Sequence, residues 1–182
     1  MEENFQINLK PVTHITADAI GKPGKRIFYI QGWKGDQVVS LIIEKFQLQT
    51  LSIGVEQFLA EVRQRMPNLV EAPSEYEEEK MHIHPPVEPL FRVSEFGLSY
   101  EAENDLVALI ARENPTVQEE KQVEGEEDKG QVVVYWCTRS QLRSVVHWGV
   151  KIASRGRPLC EQCGQPKDPE GHFCARKNGH KY

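Results

Sequence analysis

The chain has 182 residues, is 39% hydrophobic and carries a formal net charge of −5, which is the make-up of one ordinary globular domain plus a small appendage. The longest apolar runs, such as Val38–Ile43, fall far short of the ~20 residues that a membrane-spanning helix needs, and the acidic start Met1-Glu2-Glu3 is unlike a secretory or organellar leader. Four cysteines, three of them clustered at metal-ligand spacing, argue against disulfides, so a cytoplasmic protein without a membrane role is expected.

Phe5–Leu9 alternates polar and apolar residues and predicts a strand, with Val12–Thr16 a second after Pro11. Gly21, Pro23 and Gly24 mark a loop, after which Arg26–Gln31 is rich in branched and aromatic residues and predicts a third strand. Gly32–Asp36 reads as a hairpin turn, and Gln37–Phe46 returns as a strand apolar enough to be buried on both faces. Leu48, Leu51, Val55, Phe58, Leu59 and Val62 recur at helical spacing until Pro67. Residues 67–90 hold Pro67, Pro73, Pro85, Pro86, Pro89 and the acidic run Glu75–Glu79, and read as a linker crossing the surface.

The second half repeats this plan. Phe91–Val93, Leu98–Tyr100, Leu106–Ile110 and Gln131–Cys137 are predicted strands, with an acidic loop over residues 113–130. A second helix begins near Ser140, capped by Thr138 or Ser140, with Leu142, Val145, Val146, Gly149, Ile152 and Ala153 on one face. Aligning Gln37–Leu48 with Gln131–Leu142 gives matching Gln-Val-Val and Gln-Leu pairs at the strand and helix openings. The reading is an internal duplication, with halves 1–66 and 91–155, antiparallel sheets and two packed helices that cross at Gly54 and Gly149. The fold class is therefore α+β, ending in a small ribbon over residues 156–182.

That ribbon carries the sharpest signal. Cys160-Glu-Gln-Cys163-Gly164 is a tight turn that aims two thiolates at one ion, and Gly164 permits the left-handed backbone after the second. His172 and Cys174, two residues apart on an extended segment, point the same way, and Phe173 is expected to face a small core. The expected ligands of a structural Zn2+ are Cys160, Cys163, His172 and Cys174, with His180 the alternative fourth ligand. Four protein ligands leave no open position, so catalysis by the metal is not expected.

Elsewhere the chemistry is bland. Cys137 reads as a buried inert thiol, His82-Ile-His84 as part of an exposed loop, His14 as a surface strand residue and His147 as lying at the edge of a packed face. Gly21-Lys-Pro-Gly-Lys25 lacks the spacing of a phosphate loop, and no nucleophile elbow or HExxH is present. Charge is uneven: residues 71–128 hold 17 acids and 4 bases, residues 151–182 hold 7 bases and 3 acids. Lys25, Arg26, Arg139, Arg155, Arg157, Arg176 and Lys177 are candidate contacts for an anion or nucleic acid. Tyr29, Trp33, Tyr135 and Trp136, lying on or beside strands, are candidates for stacking single-stranded bases.

The end of the chain, from Gly156-Arg-Pro-Leu-Cys160 through Cys163-Gly-Gln-Pro-Lys to Gly171-His-Phe-Cys174, resembles a bacterial family labelled domain of unknown function 3090. Arg26–Gln31, Val39–Lys45 and Thr138–Gln141 extend the resemblance over nearly the whole length. The resemblance implies no activity. It does imply His172 as the ligand, because members often have an aromatic at the position of His180. The doubled strand-and-helix plan is also similar in topology to Whirly-type single-stranded nucleic-acid binders. The expected function is a zinc-binding, non-enzymatic binding or regulatory module for a protein or single-stranded nucleic acid. The alternative is an enzyme, or enzyme subunit, acting on a phosphorylated small molecule.

Overall fold

The structure is a computed structural model, and it describes residues 6–113, 130–167, 171–174 and 176. Among these the fold is α+β. Seven strands, β1 (Gln6–Leu9), β2 (His14–Ile20), β3 (Ile27–Lys34), β4 (Gln37–Ile43), β5 (Pro89–Glu101), β6 (Leu106–Glu113) and β7 (Val132–Thr138), form one sheet. Their order is β1-β7-β6-β5-β4-β3-β2. Helix α1 (Lys45–Arg65) follows β4, and α2 (Arg139–Ser154) follows β7.

The sheet departs from the antiparallel expectation in two places. β4 pairs with β5 in parallel, and β1 pairs with β7 in parallel. The first follows from connectivity: α1 and residues 67–88 return the chain to the end of the sheet where β4 began, so β5 must run beside it in the same direction. The second half also has three strands rather than four. The two strands expected over residues 91–93 and 98–100 are one 13-residue strand with an irregularity between Val93 and Glu95.

Residues 6–20 draw the two sheet edges toward each other. β1 lies on β7 and β2 lies on β3, and the join is tied by Val12 N–H to Trp136 O (2.8 Å) and Thr13 N–H to Trp33 O (2.7 Å). The inward positions recur with period two: Phe28 and Ile30, then Val39, Leu41 and Ile43, then Val107 and Leu109, then Val133 and Tyr135. They share one core with Leu48, Leu51 and Val55 of α1 and Leu142, Val145 and Trp148 of α2. Each side chain so buried contributes roughly 1.5–3 kcal/mol.

The helix starts use a shared device. Gln47 Oε1 accepts from the Glu44 amide (2.7 Å), and Gln141 Oε1 accepts from the Thr138 amide (2.9 Å). Thr138 Oγ1 accepts in turn from the Gln141 amide, closing a capping box. The helices meet where Gly149 packs on Leu48, but Gly54 faces open space and takes no part in the crossing.

Residues 67–88 contain only a short 3-10 turn, Glu78–Met81, yet they are strapped down. Arg139 donates to Val70 O (2.8 Å), Arg143 to Ala72 O (2.6 Å) and Ser144 to Glu75 O (3.2 Å). Gln31 and His84 exchange two hydrogen bonds, and Thr16 donates to Met81 O. A segment without a ladder partner must satisfy its backbone through side chains, which explains why Thr16, Gln31, Arg139 and Ser144 are buried polar residues.

Candidate metal centre

The ribbon begins where α2 ends. Leu159 bridges Pro166, Cys160 N–H donates to Gln165 O (2.8 Å) and Lys167 N–H donates to Pro158 O (2.7 Å). Inside this narrow hairpin Gly164 N–H donates to Cys160 O (2.8 Å), with Gly164 at φ +71°, the left-handed turn anticipated from its position. Cys160 and Cys163 therefore project from one knuckle. His172 and Cys174 come from the returning segment, which Arg176 ties back by donating to Gln162 O (2.9 Å).

One ligand atom each from Cys160, Cys163, His172 and Cys174 lies within 4.8 Å of the other three. Cys160 Sγ and Cys174 Sγ are 3.8 Å apart. That is far too long for a disulfide, whose sulfurs lie about 2.05 Å apart. It matches the roughly 3.8 Å edge between two sulfurs each 2.3 Å from a tetrahedral ion. Cys163 Sγ and His172 Nε2 lie at 3.1 Å, inside the roughly 3.5 Å sulfur–nitrogen edge of the same geometry, so the imidazole must back away slightly to admit an ion.

The electrostatics favour thiolate at the first cysteine. Backbone amides of Cys163 and Gln162 aimed at its sulfur hold the Cys160 thiol down to about 6. Cys163 accepts from the Gln165 amide, but burial and the neighbouring sulfurs of Cys160 and Cys174 outweigh that bond and raise its pKa. The contrast with Cys137 is sharp: burial alone pushes that thiol up to about 12, and its sulfur meets only the carbonyls of Val107 (3.5 Å) and Tyr135 (3.9 Å) among hydrogen-bond partners, as expected of an inert core cysteine. Three sulfurs and one imidazole form a soft donor set, and the group could hold a metal ion. Phe173 departs from expectation. It is 78% exposed rather than turned into a core, because four residues of ligand-bearing chain enclose no apolar interior. His180 lies outside the described residues.

The basic residues do not assemble into one surface. Arg139 is buried and paired with Asp105 (2.7 Å), and Arg155 pairs with Glu78 (2.9 Å). Lys25 is exposed on its loop, and Lys177 lies outside the described residues. Arg26 and Arg157 do meet, in a cleft of about 300 Å3 between the sheet and the ribbon. Lys45 joins them there. Sequence reasoning passed over Lys45, although a cation at the first position of a helix, the positive end of its dipole, is itself a signal.

Of the four candidate stacking aromatics, Tyr29 is half-buried and the other three are engaged. Tyr135 is fully buried, Trp33 packs between His14 and His84 (centroids 5.1 and 5.5 Å), and Lys10 caps Trp136 at 4.1 Å. Among the described residues no helix is long and apolar enough to cross a membrane. Comparison with known proteins returns no match among curated proteins and none among solved structures. The model of one family, described as "Protein of unknown function (DUF3090)", matches residues 7–174, nearly the whole chain. The chain, with its Cys/His group at the end of that match, belongs to this family.

Proposed function

We propose that Cys160, Cys163, His172 and Cys174 bind one Zn2+ in a closed structural site, and that the protein is a non-enzymatic binding or regulatory module whose ribbon is set by that ion. The supporting observation is the convergence of four donor atoms, three sulfurs and one imidazole nitrogen, within 4.8 Å of one another on two short segments. A closed tetrahedron fixes a fold and offers no position for substrate. Free thiols in this number suit a reducing cytoplasm. Of the two partner classes, a protein is favoured over single-stranded nucleic acid, because bases need open aromatic faces and Trp33, Tyr135 and Trp136 are covered.

The test is elemental analysis of the purified full chain. One equivalent of zinc, lost in Cys163→Ser, is the expected result. Protein that refolds in zinc-containing buffer and carries no stoichiometric metal overturns the reading. Binding to single-stranded DNA that weakens steeply with salt would reverse the choice of partner.

The repeated plan β2-β3-β4-α1 and β5-β6-β7-α2, with Gln47 and Gln141 in the same capping role, supports descent from one duplicated unit. Superposition of the two units no better than that of unrelated three-strand-and-helix units would remove that support.

A further inference from the structure

The cleft between sheet and ribbon gathers Arg26, Lys45 and Arg157, and Glu44 is the one carboxylate among the described residues that line it. A methyl group on Gly156 would lie 3.4 Å from Arg26 Nη2 and 3.5 Å from Lys45 Nζ, so the two cations converge on a stretch of bare backbone. Neither has an ion-pair partner among the described residues. Arg26 spends Nη1 on Ile152 O (3.0 Å), which orients the guanidinium and leaves its other nitrogen toward the cleft. Glu44 also lines the cleft, but it pairs with Arg92. Lys45 opens a 21-residue helix whose N-cap residue is Glu44, so an acid already stands at the positive helix end and the pull on an anion comes from the paired cations themselves. Arg157 brings a third cationic side chain, packed so closely on Gly24 that a Cβ there would meet its Nε at 2.9 Å. The opposite wall is apolar: Phe28 beneath, and Leu159, which is 62% exposed.

We propose that this cleft binds a small phosphorylated molecule. The phosphate sits between Arg26 and Lys45 above Gly156, where a guanidinium fork and a point-charge ammonium suit a dianion with several acceptor oxygens. The organic part lies against Leu159. A cavity of about 300 Å3 is at the small end of ligand sites, which limits the ligand to a monoester of modest size. The proposal rests on the metal-set ribbon for one wall only, since Leu159 adjoins Cys160 and bridges Pro166. Ligand affinity is therefore linked to metal occupancy, and reciprocally.

Calorimetric titration of the zinc-loaded full chain with phenyl phosphate, inorganic phosphate and benzoate tests this. Phenyl phosphate is expected to bind saturably and at least tenfold tighter than benzoate, with inorganic phosphate between them. Lys45→Met, which removes no hydrogen bond, and Gly156→Val, which fills the convergence point, should each weaken phenyl phosphate at least tenfold while circular dichroism stays unchanged. No saturable binding of phenyl phosphate, equal binding by the two variants, or benzoate binding as tightly as the phosphate ester overturns the proposal. Phenyl phosphate binding undiminished in Cys160→Ser would overturn the linkage to the ribbon. The metal site is judged separately by zinc content, so the two failures are distinguishable.

Discussion

Tyr135 lies directly against Gly32: a Cβ at Gly32 would come within 2.5 Å of Tyr135 Cδ1, and the Tyr135 hydroxyl donates to Val39 O at 3.2 Å. β7 and β3 are separated in the sheet by β6, β5 and β4, so this contact exists only because the sheet curls until its inner faces meet. Glycine on β3 makes room for the ring. Gly32→Ala is expected to lower stability by about 1–3 kcal/mol through overpacking. Tyr135→Phe, which keeps the ring and drops one buried hydrogen bond, is expected to cost about 1 kcal/mol. Urea denaturation followed by fluorescence measures both, and an alanine at residue 32 that unfolds at the wild-type midpoint contradicts the contact.

The two helix glycines should respond with opposite signs. Gly54 has nothing within 4 Å of its would-be Cβ, so Gly54→Ala gains helix propensity of up to about 1 kcal/mol. Gly149→Ala gains the same propensity but meets Leu48 Cδ2 at 2.9 Å, and Leu48 is fully buried. Its expected net effect is a loss of about 1 kcal/mol. Thermal unfolding of the pair decides it: a raised midpoint for the variant at 54 and a lowered one for the variant at 149.

Acid should loosen the contact between the helices. Glu56 of α1 accepts from Arg143 and pairs with His147 of α2, both at 2.8 Å. Burial works against the charged carboxyl, but the hydrogen bonds from Arg143 and His147 outweigh it and hold the pKa below its ordinary 4.5. A carboxylate whose pKa is lower folded than unfolded adds stability that is fully present above the ordinary value and fades as pH falls through the folded one. The pair is partly exposed, so its worth is about 0.5–1 kcal/mol. Glu56→Gln should cost this much at pH 7 and progressively less as pH falls below 4.5. A difference that persists unchanged at pH 3 would assign the effect to packing instead.

Stripping the proposed ion should release the ribbon and spare the sheet. The core cluster contains none of Cys160, Cys163, His172 or Cys174. Cys160→Ser, or chelation of the wild type, is expected to expose residues 156–176 to rapid proteolysis. Far-UV circular dichroism should change little, and the main unfolding midpoint should stay within about 2 °C. Proteolysis of the ribbon at the same rate with and without metal would mean that the ion does not organise it.

Local spacing was enough to read much of this protein. Two thiolates on a Cys-x-x-Cys-Gly turn can only face one point, and His172 and Cys174 share a side because extended backbone alternates with period two. The helical periods of Leu48–Val62 and Leu142–Ala153 named both buried faces, and of the two caps offered for the second helix, Thr138 and Ser140, the structure uses Thr138. These signals are legible because the interacting groups lie within a few residues of one another, where backbone geometry fixes their relation. What no local pattern holds is pairing across the chain. The parallel neighbours β4 and β5, the curl that sets Tyr135 on Gly32, and the strapping of residues 67–88 depend on which surfaces bury best together. The meeting of Arg26, Lys45 and Arg157 in one cleft is of the same kind. Each is a choice among many distant partners, decided by the packing of the whole core, and so it belongs to the tertiary structure alone.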